Sequence, residues 1–145
     1  MSRSTHLDLQ HCTGPQVRLI SALEALERDG WDATRDGMGF SYCCGEPGDW
    51  DTLPVDQRDA LLESFRKGER VKKSLGIALN DASSEVGVTI LDFGDHNLTF
   101  WILDYRSDLF LPGRLVDCSY WLRRLIPPLL AAGFQFEAVH WRDEP

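Results

Sequence analysis

The chain has 145 residues, of which 43% are apolar and 26% are charged, and its formal net charge at neutral pH is −8. This length and balance predict one folded domain spanning 1–145, and no apolar run approaches the roughly 20 residues of a membrane-spanning helix. The negative charge argues against direct binding to nucleic acid and favours a basic protein partner.

The N-terminal segment, 1–12, lacks the apolar core and the small-residue cleavage site of a secretory signal. We therefore expect a cytoplasmic protein whose four cysteines stay reduced. We also treat 1–12 as a candidate disordered segment.

The clearest predicted element is a helix that begins after Thr13-Gly14-Pro15 and ends at Gly30. Pro15 suits the first turn of a helix, and Gly30 suits the position just after its end. Apolar residues recur between them at helical spacing. These residues are Val17, Leu19, Ile20, Leu23 and Leu26.

The middle of the chain predicts a strand, a loop, a helix and another strand. The first strand runs from Gly39 to Cys44, and 45–54 form the loop. The helix spans about 55–67, with its apolar residues turned inward. "SLGIALN" then alternates as a strand does.

Two further strands, "EVGVTILDFG" and "NLTFWILDY", flank the hairpin signal "GDHN". If Asp95 and His96 form a two-residue turn, Ile90 lies opposite Trp101. Both faces of the hairpin are then largely apolar. Such strands are either covered on both sides or present one face to a partner, which makes a homodimer one alternative.

The last elements are a helix and a closing strand. Trp121, Leu125 and Leu129 follow helical spacing, but Pro127-Pro128 predicts a kink or two short helices. The closing strand spans 134–141. The predicted order α-β-α-β-β-β-α-β indicates an α+β fold, with helices packed on a mainly antiparallel sheet of about five strands.

Cys43 and Cys44 are adjacent in a predicted strand, so their side chains point to opposite faces. They therefore cannot easily chelate one metal ion together, and no C-x₂₋₄-C pair typical of zinc sites is present. Because free cysteine is one of the most buried residue types, we interpret the pair as packing residues.

A metal-binding or cysteine-dependent enzyme remains the alternative. Its candidate ligands would be Cys43, Cys44, Cys118 and His96, and Cys44 with His96 and Asp92 would be its catalytic candidates. No P-loop, GxGxxG, GxSxG or HExxH signature occurs in the chain. The sequence therefore favours a non-enzymatic role without a cofactor.

The acidic loop around Trp50 is the main candidate site. An aromatic residue ringed by polar groups is typical of interface hot spots. We therefore predict a protein-binding edge, and within that class an inhibitor or immunity-type protein that acts on a basic nucleic-acid-handling partner. The predicted contacts are Glu46, Asp49, Trp50 and Asp51, with Asp95 as a weaker one.

Three short motifs, "ALEALERDGW", "FSYCCG" and "LLAAGFQFEAVHW", occur in this order. Together they resemble a family of small bacterial domains of unknown function, in which a first helix leads to a Cys-Cys segment and a late helix leads to a closing strand. Where the family pattern has a further cysteine, this chain has Glu46, Pro47 and Gly48. The resemblance implies a single domain and no particular activity.

Overall fold

A computed structural model describes residues 4–15, 18–34, 39–45, 50–67, 74–81, 86–93, 96–104 and 118–144. The helices in these ranges are α1 (Arg18–Arg28), α2 (Arg58–Arg66) and α3 (Cys118–Ala131), and a 3₁₀ turn (Val55–Gln57) precedes α2. The strands are β1 (Ser4–Gln10), β2 (Trp31–Asp32), β3 (Phe40–Gly45), β4 (Trp50–Leu53), β5 (Ser74–Asp81), β6 (Val86–Asp92), β7 (Leu98–Asp104) and β8 (Ala138–Glu144). Within these ranges, no helix has the length and apolar character needed to cross a bilayer.

The strands form one antiparallel sheet in the order β4-β3-β5-β6-β7-β1-β8. β2 and β3 pair with different halves of β5, so β2 continues the line of β3 along the same neighbour. The predicted α+β class with an antiparallel sheet and packed helices is confirmed.

The predicted strand number and order are wrong, because the sheet has eight strands rather than about five. β1 lies in the segment that we treated as a candidate disordered region, and it pairs with both β7 and β8. Leu7 and Leu9 of β1 are fully buried. β4 lies in the predicted loop, and the closing strand begins at Ala138 rather than Phe134.

The register of the β6–β7 hairpin differs by one residue from the prediction. Ile90 lies opposite Phe100, and Thr89 lies opposite Trp101. A two-residue turn at 95–96 would require Ile90 to face Trp101, but five residues, 93–97, separate the two strands. A shift of one residue in the register changes which side chains of the two strands share a face. Here it places the buried Ile90 opposite the buried Phe100.

All three helices cover the same face of the sheet. α1 packs against β5 and β6, and α2 and α3 both contact α1. The strands contribute alternate residues to the core below the helices, as expected for a sheet covered on one side. The buried strand residues of this face are Leu7, Leu9, Phe40, Ile77, Leu79, Val86, Val88, Ile90, Leu98, Phe100 and Ile102.

The helices follow the predicted apolar pattern. Gly30 and Gly133 have positive φ angles just after α1 and α3, where glycine stops a helix without strain. Pro127 and Pro128 do not divide α3 into two helices. Pro127 lacks the N–H that would reach the Arg123 carbonyl, and since both residues are exposed, this carbonyl lies on the side of the helix that faces water.

Arg124 connects α3 to the sheet. Its guanidinium lies 4.7 Å from the ring centroid of Trp31, and it donates to Asp81 Oδ2 at 2.6 Å and to the Tyr120 hydroxyl at 2.8 Å. Burial lowers the pKa of Arg124, but the hydrogen bonds with Asp81 and Tyr120 outweigh it, so the pKa is raised. Trp31 in turn stacks on Trp121 of α3 at 5.8 Å.

We predict that Arg124→Met lowers the free energy of unfolding by about 2–3 kcal/mol. The substitution keeps the side-chain length but removes a partly buried cation from Asp81 and from the Trp31 ring. The matched control is Arg123→Met, since Arg123 is the exposed neighbour on the same helix, and its effect should stay within about 0.5 kcal/mol. Urea unfolding measures both values, and equal effects would contradict the role assigned to Arg124.

Candidate functional site

The face of the sheet opposite the helices carries the second set of alternating side chains, and we call it the open face. Residues that lie directly opposite each other in neighbouring antiparallel strands share a face. Successive pairings therefore define two rows across the open face. The first row is Trp50, Cys43, Gly76, Leu91, Thr99, Asp8 and His140, and the second is Thr52, Ser41, Ala78, Thr89, Trp101, His6 and Arg142.

Trp50 lies on the edge strand β4, and the tip of its indole ring lies over a glycine of β5. A Cβ atom placed on Gly76 would be 3.2 Å from the tip of the Trp50 ring, 2.9 Å from Leu91 Cδ2 and 3.4 Å from Cys43 Cβ. The absence of a side chain at Gly76 thus lets Trp50 and Leu91 approach each other across β3 and β5. Trp50 keeps 38% of its surface exposed, while Cys43 is buried beside it.

Trp101 and Leu103 extend this apolar surface along β7. Each is 37% exposed. Leu91 is the diagonal neighbour of Trp101, because its direct partner is Thr99, and such neighbours lie within reach of an aromatic side chain. We call Trp50, Leu91, Trp101 and Leu103 the tryptophan patch.

One end of the tryptophan patch meets polar side chains of β1 and β8. The ring of His6 stacks on Trp101 with centroids 5.9 Å apart and planes 10° apart. Asp8 accepts a hydrogen bond from the Thr99 hydroxyl at 2.8 Å and lies 3.3 Å from the Arg142 guanidinium. This border therefore holds a balanced ion pair, so its local charge is close to neutral.

Carboxylates follow Trp50 in the chain, but Asp51 belongs to the helix-covered side of β4, because it pairs with Tyr42, which lies opposite the buried Ile77. Asp51 and Asp56 follow Trp50 and are both exposed. The Asp51 carboxylate accepts a hydrogen bond from the Thr52 backbone N–H at 2.8 Å, and the Tyr42 hydroxyl lies 3.5 Å from it. Asp51 thus lies next to Trp50 on the edge strand but on the other face of the sheet, and Asp56 lies in the 3₁₀ turn that precedes α2.

The structure places the predicted contact residues as follows. Trp50 and Asp51 lie together on β4, with Trp50 on the open face. Glu46, Asp49 and Asp95 lie outside the described residues. The sequence prediction did not include Trp101, which the corrected hairpin register brings to the same face.

The candidate metal ligands lie on β3, at the start of α3 and before β7. Cys43 is buried on the open face of β3, Cys44 pairs with Leu75, and Cys118 is the first residue of α3. His96 precedes β7 and is exposed. Within the described ranges, no three His, Cys, Asp or Glu side chains form a ready-made metal centre.

Cys12, a further ligand candidate of the metal-binding alternative, lies just after β1 near a half-buried ion pair. Arg18 Nη2 lies 2.8 Å from Asp92 Oδ1, and Arg18 also donates to the Cys12 carbonyl at 3.4 Å. Burial raises the pKa of the Cys12 thiol; the charge of Arg18 lowers it and that of Asp92 raises it further, with a net upward shift. A thiol with a raised pKa is a poor nucleophile at neutral pH.

Two histidines and a glutamate lie together where β1 ends and β7 and β8 begin. The rings of His11 and His96 have centroids 6.1 Å apart, and His11 Nε2 lies 4.0 Å from Glu137 Oε2. They line a cavity of about 380 Å³ together with Thr13, Gln135 and Phe136. His11 has a φ angle of 52°, which is rare for a residue other than glycine.

Comparison of the chain with protein-family models, curated proteins and solved structures gives no match. The three sequence motifs therefore lead to no family assignment, and the function has to be argued from the residues of this chain.

We predict that Gly76→Ala displaces Trp50 from its position on the sheet. The added methyl group would come within about 3.2 Å of the indole and of Leu91, so these side chains must move. In protein labelled with 5-fluorotryptophan, the ¹⁹F resonance of Trp50 should show a larger solvent isotope shift than in the parent, while that of the buried Trp121 should not change. Trp50→Phe identifies the resonance. An unchanged Trp50 signal would contradict this packing.

We also predict that Cys12 and Cys43 resist alkylation in the folded protein. Both are at most 4% exposed, and the raised pKa of Cys12 reduces its thiolate fraction. Iodoacetamide labelling followed by peptide mass spectrometry should show much faster modification of both in urea than in buffer. Fast labelling of either residue in the folded protein would instead support a cysteine-dependent activity.

Proposed function

We propose that this chain is an acidic, non-enzymatic protein-binding domain that engages a basic partner through its open face. Within that class, we propose an inhibitor or immunity-type protein that acts on a nucleic-acid-handling protein. The observation that carries the proposal is the tryptophan patch, in which Trp50 and Trp101 remain 38% and 37% exposed on one face of the sheet.

The composition of the patch supports binding to a protein. Tryptophan is enriched among the residues that dominate binding energy at interfaces. Trp50 lies over Gly76 and against Leu91, and Trp101 is stacked on His6. Because both rings are already packed on one side, they lose less conformational freedom when a partner binds, and this favours affinity.

The charge of the chain supports a basic partner. The net charge is −8, and the exposed Asp51 and Asp56 follow Trp50 in the chain, with Asp51 on the other face of β4. Opposite charge speeds the encounter of two proteins and orients them. On a nucleic-acid-handling partner, these carboxylates would occupy a surface that otherwise receives phosphate groups.

The cysteine-dependent alternative has less support. Cys12 and Cys43 are buried, and the raised pKa of Cys12 is opposite to what a nucleophile requires.

A photocrosslinking experiment tests the proposal in cells that produce the chain. A photoreactive phenylalanine analogue replaces Thr52, which is exposed and belongs to the second row of the open face. We expect a crosslink to a basic protein, identified by mass spectrometry. The matched control places the same analogue at Leu130, an apolar residue of α3 that is 53% exposed, where we expect no such crosslink.

With the purified partner, we predict that Trp50→Ala and Trp101→Ala each weaken binding by about 2 kcal/mol or more, which is roughly 30-fold. Leu130→Ala should change it by less than about 0.5 kcal/mol. Asp51→Asn with Asp56→Asn should mainly slow association and reduce its dependence on salt. Calorimetry and surface plasmon resonance measure these values. A partner that is acidic, or that is bound equally well by both tryptophan variants, would refute the proposal.

A further inference from the structure

We propose that the partner is held by strand addition, in which an extended, basic segment of the partner pairs with the outer edge of β4 and lengthens the sheet. The inference rests on the proposed function and names the part of the partner that binds. The segment alternates apolar and basic side chains, because neighbouring residues of β4 lie on opposite faces of the sheet.

β4 is the terminal strand of the sheet, and within the described ranges it pairs with β3 alone. Trp50 is 38% exposed, and Asp51 and Thr52 are exposed as well. An edge strand of this kind presents backbone N–H and C=O groups with which another chain can pair. The outer side of β4 is therefore open to an added strand.

A hydrogen bond of Thr52 indicates which backbone groups of β4 point outward. The Thr52 N–H donates to the carboxylate of its own neighbour, Asp51 Oδ1, at 2.8 Å, so this donor faces the free side of the strand rather than β3. Since the direction of the backbone groups alternates along an antiparallel strand, those of Trp50 point the same way. A partner carbonyl would take over the Thr52 N–H and release the Asp51 carboxylate.

The two faces of β4 determine which side chains suit the partner segment. Residues opposite Trp50 and Thr52 lie on the open face, where the exposed indole favours an apolar side chain. The residue opposite Asp51 lies on the helix-covered side, where a carboxylate favours arginine or lysine. This pair is of the type without backbone hydrogen bonds, in which the side chains are closer together. One segment can thus contact both Trp50 and Asp51, although they lie on opposite faces.

Charge distinguishes β4 from the other edge strand, β8. Arg142 of β8 lies 3.3 Å from the Asp8 carboxylate, and Asp143 accepts a hydrogen bond from the Thr5 hydroxyl at 2.8 Å. Among the ion pairs of the described residues, none includes Asp51. This leaves Asp51 available to a basic segment.

A second copy of the chain fits this edge less well. Antiparallel pairing of two β4 strands about Asp51 would place two carboxylates opposite each other, and like charges in this position destabilise a sheet. The net charge of −8 on each copy adds to the repulsion. The same charges attract a basic segment, so the edge favours a basic partner over self-association.

The test uses the full chain and an acetylated, amidated hexapeptide in which arginine and valine alternate. Titration followed by ¹H–¹⁵N spectra should show saturable binding, with the largest shifts at the backbone amides of Trp50 and Thr52. The control peptide has the same composition, with all arginines before all valines. It should bind roughly fivefold more weakly, because it cannot place arginine and valine on opposite faces along β4.

Methylation of the peptide's backbone nitrogens tests the pairing directly. The valines lie opposite Trp50 and Thr52 and direct their N–H groups at β4, whereas the arginine N–H groups face solvent. Methylation at the valines should weaken binding by roughly tenfold or more, because the hydrogen bonds to β4 are lost. Methylation at the arginines should change it by less than about twofold. Equal effects of the two, no saturable binding, or shifts that avoid β4 would overturn strand addition.

A charge reversal tests the role of Asp51. Asp51→Lys should weaken binding of the arginine–valine peptide by roughly fivefold or more and should allow a glutamate–valine peptide to bind instead. Asp29→Lys makes the same change at an exposed carboxylate after α1, and it should alter either affinity by less than about twofold. Equal losses in the two variants would assign the binding to net charge and reject the proposal.

A second copy as the occupant would appear as a dimer of the peptide-free chain in sedimentation equilibrium, with broadened amide signals from β4, and would also overturn the proposal. Backbone ¹H–¹⁵N spectra check that each variant remains folded.

The outcome can be separated from that of the proposed function. Trp101 lies on β7, away from the β4 edge, so Trp101→Ala should weaken binding of the partner but change that of the peptide by less than about twofold. Weaker partner binding in this variant, together with equal effects of the two methylated peptides, would reject strand addition and retain the protein-binding proposal. Peptide binding at β4 together with an acidic crosslinked partner would refute the proposed function and leave the pairing of β4 intact.

Discussion

The strict alternation of side chains along antiparallel strands determines where everything else in this molecule lies. On β7, Phe100 and Ile102 are buried under the helices, while Trp101 between them is 37% exposed. On β3, Phe40 faces the helices and Cys43 faces the other way, beside Trp50. Once the helices cover one face, every second residue of each strand is assigned to the open face.

The helices were predictable because their signals are local. Apolar spacing and the following glycine gave α1, and the apolar spacing gave the buried residues of α2 and α3. The missed strands carry weaker local signals. β2 has two residues, and β4 is a short, exposed edge strand that follows the sequence "GEPGD". Their pairing with β5 and β3 gives these segments their structure, and a single sequence does not report pairing between distant segments.

The candidate sites likewise combine a part with a local sequence signal and a part that depends on pairing between distant segments. The local sequence identified Trp50 through its acidic neighbours, but it gave no reason to join Trp50 to Trp101, which lies on a strand four positions away in the sheet. The alternation within "LTFWILD" could have shown that Trp101 and Phe100 lie on different faces of the sheet. The assumed two-residue turn, which paired Trp101 with Ile90, concealed this. His11, His96 and Glu137 are far apart in the sequence, and the sheet order β7-β1-β8 brings them together.

An exposed apolar face raises the question of why the chain would select a partner rather than associate without specificity. Unprotected sheet edges and apolar patches both promote aggregation, and natural proteins counter this with charge at the edges. Here β4 carries the exposed Asp51, and β8 carries His140, Arg142 and Asp143. Together with the net charge of −8, these side chains disfavour contact between two copies. A basic surface with a pocket for an indole would neutralise that repulsion and cover the tryptophan patch, so the same charges that oppose self-association favour the proposed partner.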